Sequence, residues 1–181
     1  MDISLQLYSV REMTRLNFEL TLKDVGAMGY DGVEFAGFGN IPPERMKEAL
    51  GEAGLYSVGS HTGYDLFKNS FEEQLEYNLA LGSRYVVCPG AKMETLADIE
   101  EVARTLNRAA EIAAPHGVKV GYHNHSGEFR VVEGKCILDW LMEKTTENVV
   151  MELDIYWAHR GGVDPCGYIE KWGKRVELIH L

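Results

Sequence analysis

Residues 119–129 read KVGYHNHSGEF, a stretch that begins like a buried β-strand and ends in two histidines and a glutamate. Val118 and Val120 suit a strand, and His123 and His125 share one face of it because side chains alternate with a period of two. Two imidazoles on one strand face fit a metal site, an acid–base pair or a solvated strand end. The side chains that the other strands place beside these histidines decide among the three interpretations.

A short apolar run, a turn and a helical stretch recur along the chain. The predicted strands are residues 3–9, 32–37, 56–62, 85–90, 119–125, 149–157 and 176–181. Six helical stretches separate them: NFELTLKDVGAMG, PPERMKEALGEAG, SFEEQLEYNLALG, TLADIEEVARTLNRAAEIAAPHG, CILDWLMEKT and PCGYIEKWGKR. Strands that alternate with helices favour a parallel sheet with right-handed crossovers.

Polar residues stand at the carboxyl ends of nearly all these strands, which favours a barrel over a doubly wound sheet. They are Glu34, His61, His123, His125, Asp154 and His180. In a barrel such ends converge on one mouth, whereas in an open sheet only the strands beside a switch point carry such residues. No GxGxxG or GxxxxGK[ST] motif follows a strand to hold phosphates. The predicted fold is therefore α/β, of the (β/α)8 TIM-barrel type.

The strand count predicts an incomplete barrel. A closed barrel of this type has eight strands and typically about 250 residues. This chain has 181 residues, and its seventh strand occupies the last of them. No linker, low-complexity tract or composition break divides it. We therefore expect one domain over residues 1–181, truncated at its C-terminus, with strand eight missing.

Composition excludes several classes of protein. The formal net charge of −10 repels phosphate backbones, which disfavours nucleic-acid binding. No apolar run approaches the roughly 20 residues that span a bilayer, and the N-terminus lacks the features of a signal peptide. We expect a cytoplasmic protein without a membrane partner. Cys88, Cys136 and Cys166 are widely spaced, which predicts reduced thiols, and none is given a catalytic role.

The last three strands suggest a metal site. By alternation, His123, Asp154 and His180 share the inward face of adjacent strands, with Glu152 one layer deeper. This mixture of nitrogen and oxygen donors suits a divalent cation such as Mn²⁺, Co²⁺, Zn²⁺ or Mg²⁺. The alternative is a solvated mouth whose polar side chains bond to one another. Glu152 either bonds within its layer or supports a metal ligand.

Further polar and aromatic residues at the strand ends are candidates for binding substrate or for catalysis, with solvation or packing as the alternative for each. The substrate-binding candidates are Glu34, His61, His125, Trp157 and Arg160, and the catalytic candidates are Glu128 and Glu152. Glu128 lies in the loop just past its strand, where catalytic groups are often found.

Taken together, these stretches resemble the sugar phosphate isomerase/epimerase superfamily, the xylose-isomerase-like TIM barrels. The matching pieces are LQLYSVR (5–11), GYDGVEFAG (29–37), SHTG (60–63), VVCPG (86–90), YHNHSGEF (122–129), MELDIYWAHRGG (151–162) and IHL (179–181). They stand in family order over essentially the whole chain. The run from YHNH to the terminal HL is the most specific part.

The resemblance implies a divalent metal held by Glu, Asp, His and Glu at the ends of strands five to eight. Asp154 and His180 match two of these positions, His123 stands where the family has the first Glu, and the last belongs to a strand eight that this chain lacks. In the family the metal stabilises a cis-enediolate while carboxylates move a proton beside a carbonyl. The carboxylate that His123 replaces is one of those bases.

The function predicted from this resemblance is a metal-dependent sugar or sugar phosphate isomerase/epimerase acting on a small-molecule sugar in carbohydrate metabolism. One alternative is a lyase or hydrolase acting on a keto-sugar, with Glu128 or Glu152 as the base. Another is an inactive fragment that only binds ligand or self-associates into a homo-oligomer through its open strand edges. Phosphodiester hydrolysis on DNA is disfavoured by the acidic charge.

Overall fold

A computed structural model of the chain describes residues 2–181 as alternating strands and helices. The strands are β1 (Ser4–Gln6), β2 (Gly32–Phe35), β3 (Tyr56–His61), β4 (Tyr85–Cys88), β5 (Lys119–His123), β6 (Val131–Val132), β7 (Lys135–Cys136), β8 (Val149–Asp154) and β9 (Val176–His180). The helices are α1 (Arg11–Leu16), α2 (Phe18–Ala27), α3 (Pro43–Ala53), α4 (Tyr64–Asn69), α5 (Phe71–Leu81), α6 (Leu96–Ala113), α7 (Ile137–Lys144), α8 (Ile155–Arg160) and α9 (Pro165–Trp172).

By its internal contacts the chain divides into two compact units. Unit one comprises the residues up to Thr62 together with Glu72–Val86, and unit two comprises Gly63–Phe71 and Val87–Leu181. Each has strands, covering helices and buried apolar side chains of its own. The expectation of one barrel domain over residues 1–181 stays a prediction.

In unit one, β1, β2 and β3 lie side by side and parallel. The helices α2 and α3 pack on one another, and their apolar sides join β2 in a buried cluster that includes Leu22, Met46, Val33 and Phe35. Helix α3 begins with Pro43 and ends at Gly54, whose φ of 68° is the left-handed conformation that favours glycine.

In unit two, β5, β8 and β9 are parallel neighbours. Helix α6 starts with a capping box formed by Thr95 and Asp98. The buried residues of α6 are spaced so that they form one side of the helix, and this side packs on β5 and α7. They are Ile99, Val102, Ala103, Leu106, Ala109, Ala110 and Ala113. The helix-facing side chains of the strands, such as Tyr122 and Met151, are fully buried. The side chains on the opposite face of these strands are therefore the ones that could line a functional site.

The structure confirms the seven predicted strands and the six predicted helices, with differences at the ends. The strand expected over 149–157 stops at Asp154, because the Asp154 carboxylate accepts a hydrogen bond from the Trp157 N–H and so caps α8. The strand expected over 3–9 ends at Gln6, where its side chain accepts from the Tyr8 N–H and a 3₁₀ turn begins.

Some elements have no counterpart in the sequence prediction: the short helices α1, α4 and α8, and one hairpin. The strands β6 and β7 form a short antiparallel hairpin. Its turn residues, Glu133 and Gly134, both have positive φ, at 48° and 83°. The two-residue strands are too short for an alternating pattern to show in the sequence.

The alternation of strands and helices confirms the α/β, (β/α)8 TIM-barrel type of fold, with seven of its strands present in residues 2–181. Among these residues no helix is both long enough and apolar enough to cross a bilayer.

Candidate functional site

Three strand ends of unit two bring an imidazole, a carboxylate and a second imidazole together. His123 ends β5, Asp154 ends β8 and His180 ends β9. The His123 Nε2 lies 3.4 Å from the Asp154 Oδ2, and the His180 Nδ1 lies 3.9 Å from the same oxygen. The ring centroids of the two histidines are 4.9 Å apart. All three side chains therefore face one point.

The strand register explains this convergence. His123 pairs with Glu152, and Asp154 pairs with His180. Paired residues of neighbouring parallel strands project to the same side of a sheet, and residues two apart on one strand do so as well. The four side chains thus share a face, at the carboxyl ends of the strands.

Asp154 has a different partner for each carboxylate oxygen. Its Oδ1 accepts a hydrogen bond of 2.8 Å from the Trp157 N–H in the first turn of α8. Its Oδ2 is the oxygen nearest His123 and His180. The helix start therefore fixes the rotation of the carboxylate and directs the other oxygen at the two imidazoles.

His180 lies between two carboxylates. Its Nδ1 faces Asp154, and its Nε2 lies 3.5 Å from the Oε2 of Glu152. Glu152 is buried, with 1% of its surface exposed. A carboxylate beside the second nitrogen of an imidazole orients that ring and favours the tautomer whose other nitrogen can bind a cation.

The donor set fits a divalent cation. His123, Asp154 and His180 each offer one ligand atom, and these atoms lie within 4.8 Å of one another. Two nitrogens and one oxygen suit Zn²⁺, Co²⁺ or Mn²⁺ better than Ca²⁺, which prefers oxygen alone. The group thus has the composition of a metal site with three protein ligands, the number usual in catalytic zinc sites.

Aromatic rings extend from this group along one side. The His125 ring contacts His123 edge-on, with centroids 4.8 Å apart, and contacts Trp157 at 5.6 Å. Trp157 in turn contacts Tyr156, which is more than half exposed. Arg160 ends the same helix, α8, and is exposed. His125 and Trp157 therefore lie beside the candidate metal ligands.

Glu128 lies apart from the metal-ligand candidates. Its Oε1 accepts from the Tyr122 hydroxyl at 3.0 Å, and its Oε2 accepts from the His125 N–H at 2.9 Å. Tyr122 alternates with His123 on β5 and so projects to the opposite face. Burial, followed by the charge of Glu128, raises the pKa of Tyr122, which keeps its hydroxyl a donor. Glu128 also lines a cavity of about 200 Å³ with Lys92 and Arg130 among its walls.

In unit one, the predicted substrate-binding residues Glu34 and His61 contact each other. The His61 Nε2 lies 3.6 Å from the Oε2 of Glu34, and the same oxygen accepts a 2.7 Å hydrogen bond from the amide of Gln6. Burial lowers the pKa of His61, and the negative charge of Glu34 only partly opposes this. His61 is therefore neutral near neutral pH, able to donate one hydrogen bond and accept another.

Sequence reasoning missed two residues of these clusters. Gln6 holds Glu34 from the neighbouring strand end. Asn124 is fully buried and bonds to the backbone of Asp154. The signal for Asn124 was present in the sequence: an amide placed between two histidines at the end of an apolar strand needs buried partners.

Comparison with known proteins identifies relatives of this chain. The chain is 29% identical, over an alignment of 187 positions including gaps, to inosose dehydratase from Geobacillus kaustophilus (strain HTA426). The alignment covers 88% of this chain and 60% of that protein. Identity to inosose dehydratase from Clostridium perfringens (strain 13 / Type A) is 27% over 191 residues, with 91% and 63% covered. The chain thus spans about three-fifths of the length of these curated relatives.

Solved structures show the same fold over nearly the whole chain. A sugar phosphate isomerase/epimerase from Parabacteroides distasonis ATCC 8503 superposes with a TM-score of 0.89 and 27% identity, covering 99% of this chain and 74% of that one. An IOLI protein shares the fold with a TM-score of 0.77 at 17% identity, covering 99% and 72%. The family model described as "Xylose isomerase-like TIM barrel" matches residues 22–181. The chain belongs to the xylose isomerase-like TIM barrel family.

Proposed function

We propose that this protein is a metal-dependent enzyme that removes water from a keto-cyclitol or a related keto-sugar. The observation that carries the proposal is the convergence of His123, Asp154 and His180, with the Glu152 carboxylate beside them. The relatives named inosose dehydratase support the reaction class. The proposed substrate is a small molecule, and the proposed partners include neither nucleic acid nor membrane.

His123, Asp154 and His180 are the proposed ligands of a divalent metal. The IOLI protein that shares the fold was solved with a zinc atom, which supports a divalent metal in this protein. When bound, such an ion polarises the oxygen of a carbonyl and so acidifies the neighbouring C–H group. The histidine at position 123 keeps a ligand atom where the family more often has a carboxylate.

Glu152 is the proposed proton-transfer group. Its carboxylate shares the face of the three ligand candidates and lies against the Nε2 of His180. The carboxylate takes the proton from the carbon next to the keto group, and then returns it to the hydroxyl that leaves the following carbon. The C–H and C–O bonds break, a C=C bond forms, and water departs.

One carboxylate is enough for this elimination, and the relatives named inosose dehydratase favour it over epimerisation. A base that takes a proton can deliver it to a hydroxyl leaving on the same side of the substrate. An epimerase removes the proton from one face and returns it to the other, so it needs a second proton-transfer group opposite. Glu128 stays a predicted catalytic residue, but both of its oxygens already accept hydrogen bonds, from the Tyr122 hydroxyl and from the His125 N–H.

The remaining predicted residues are proposed to bind the substrate. The His125 and Trp157 rings offer apolar faces beside His123, against which the C–H side of a sugar ring can pack. Arg160 offers a cation at the end of α8, and in unit one the Glu34 and His61 side chains offer hydrogen bonds to hydroxyl groups.

The test measures metal content and dehydration separately. Protein purified without chelator is analysed for metals and assayed with an inosose for loss of water. Asp154→Ala and His180→Ala are expected to lose the metal and the activity together. Glu152→Gln keeps the shape beside His180 but cannot accept a proton, so it is expected to retain metal and lose activity at least 100-fold.

A glutamate on the neighbouring strand provides the control. Glu177 on β9 pairs with Lys119, is half-buried, and alternates with Leu178 and so projects away from His180, so Glu177→Gln should keep both metal and activity. Stoichiometric metal in both the Asp154 and His180 variants would contradict the ligand assignment. Full activity in Glu152→Gln would contradict the role of Glu152 as base.

A second candidate is an isomerase or epimerase acting on a sugar or sugar phosphate. The Parabacteroides distasonis structure supports it, because it is described as such an enzyme and matches this chain well. Incubation of candidate keto- and aldo-sugars in D₂O separates the two reactions. Deuterium entering the carbon next to the carbonyl without loss of water indicates epimerisation, whereas an unsaturated product indicates dehydration.

A further inference from the structure

Asn124 is a fully buried polar residue that immediately follows the metal-ligand candidate His123. Its amide nitrogen donates a 3.1 Å hydrogen bond to the backbone carbonyl of Asp154, and its amide oxygen accepts a 3.0 Å hydrogen bond from the Asp154 N–H. Both polar groups of the Asn124 side chain are therefore hydrogen-bonded to the backbone of a single residue, 30 positions away in the chain.

This pair of hydrogen bonds continues the sheet where the strands stop pairing. The register of β5 and β8 ends with His123 opposite Glu152. Beyond that point the Asn124 side chain takes the place of a backbone partner and bonds to both the N–H and the carbonyl of Asp154. The separation between the ends of β5 and β8 is thereby set at the position of the two ligand candidates.

Asp154 is consequently held from two directions. Asn124 fixes its backbone, and the Trp157 N–H fixes one oxygen of its carboxylate. What remains is the Oδ2, placed 3.4 Å from the Nε2 of His123. Ligand atoms held in place before the ion arrives bind it more tightly, because less side-chain freedom is lost on binding.

We propose that Asn124 is the positioning residue of the metal site, which holds Asp154 at the distance from His123 that a divalent cation requires. The inference rests on the proposed function, since it takes His123 and Asp154 as metal ligands. Asn124 itself donates no ligand atom, because both of its polar groups are engaged with backbone. Its effect is on affinity and on coordination geometry.

The matched control is Asn107, which makes the same pair of bonds elsewhere in unit two. Its amide nitrogen donates to the Lys144 carbonyl at 3.1 Å, and its oxygen accepts from the Thr146 N–H at 2.8 Å. Neither partner is a ligand candidate. Asn124→Ala and Asn107→Ala therefore each remove two bonds between a side chain and the backbone, but only the first removes them from Asp154.

The experiment titrates Co²⁺ into the wild-type protein and both variants, and records the visible absorption of the bound ion together with thermal unfolding. Asn124→Ala is expected to weaken Co²⁺ binding about 10- to 100-fold. It should also change the spectrum at saturating Co²⁺, since the spectrum reports coordination geometry. Asn107→Ala should lower the melting temperature while leaving the Co²⁺ affinity within about twofold of wild type and the spectrum unchanged.

The outcomes separate this inference from the metal site itself. Wild-type Co²⁺ affinity and spectrum in Asn124→Ala overturn the positioning role and leave the metal site standing. A wild-type protein that takes up no Co²⁺ overturns the metal site and this inference with it. If Asn124→Ala does not fold, Asn124→Ser, whose hydroxyl leaves room for a bridging water, serves in the same titration against Asn107→Ser, with the same direction expected.

Discussion

Gly26 lies where helices α2 and α3 come closest, and its replacement by alanine tests the packing of unit one. A Cβ built on Gly26 stands 2.1 Å from the carbonyl oxygen of Ala53, whereas ordinary contact begins at 3.4 Å. The obstacle is backbone and cannot rotate away, so the helices have to separate by about 1.3 Å, the difference between 3.4 and 2.1 Å. Leu22 and Met46, which pack between them, lose contact as a result.

The expected magnitude follows from two opposing effects. Overpacking of this kind costs about 1–3 kcal/mol. Replacing a glycine inside a helix by alanine returns about 0.5–1 kcal/mol. Gly26→Ala is therefore expected to lower the free energy of unfolding by about 0.5–2 kcal/mol, and the melting temperature by about 1–8 °C for a chain of this size.

Urea unfolding followed by circular dichroism measures the effect, and Gly51 provides the control. Gly51 lies in α3 with nothing within 4 Å of its Cβ position. Gly51→Ala should therefore stabilise the protein by about 0.5–1 kcal/mol. Gly26→Ala with wild-type stability or better would refute the close approach of the two helices. Destabilisation by Gly51→Ala would contradict the open space at the Cβ position of Gly51, and with it the contrast between Gly51 and Gly26.

Three further predictions concern unit two. Under native conditions at pH 8, iodoacetamide should label Cys166, which is exposed, and spare Cys88, because burial raises the pKa of the Cys88 thiol to about 12; peptide mass spectrometry checks this, with a denatured sample as the control. Asp139→Asn should cost about 1–3 kcal/mol at pH 7. Burial opposes ionisation of Asp139, but hydrogen bonds led by that of Lys171 outweigh this effect and lower the pKa of Asp139. The ionised Asp139 therefore stabilises the protein above the pKa of the unfolded state, and this stabilisation is lost as the pH falls through the pKa of the folded state. Urea titrations should show that the stability difference between wild type and Asp139→Asn is smaller at pH 3 than at pH 7. Thr95→Ala removes the cap of α6 and should lower the melting temperature by about 2–4 °C, and an unchanged value would contradict the capping box.

The candidate metal ligands could be selected from the sequence because of simple alternation. A period of two places His123 and His125 on one face, and Glu152 and Asp154 on another, without any tertiary information. Parallel strands then put their carboxyl ends at the same edge. Alternation and strand direction together group His123, Asp154 and His180, and in the structure their ligand atoms lie within 4.8 Å of one another.

Other features depended on contacts that the sequence does not reveal. By sequence alone Glu128 is as good a catalytic candidate as Glu152, but its carboxylate accepts hydrogen bonds from Tyr122 and from the backbone of His125. Which face of the strand a loop residue returns to depends on the path of the turn. That path is decided by tertiary packing, and no periodic pattern records it.

The sequence by itself determined the order of the seven parallel strands and of the six helices between them, and the side of each strand that is polar, since both follow from local periodicity and from the turn residues between elements. The tertiary structure alone decided how Asn124 joins the ends of β5 and β8, and which oxygen of Asp154 faces the histidines. These depend on hydrogen bonds between residues about 30 positions apart, and local patterns carry no information on the distance between such residues.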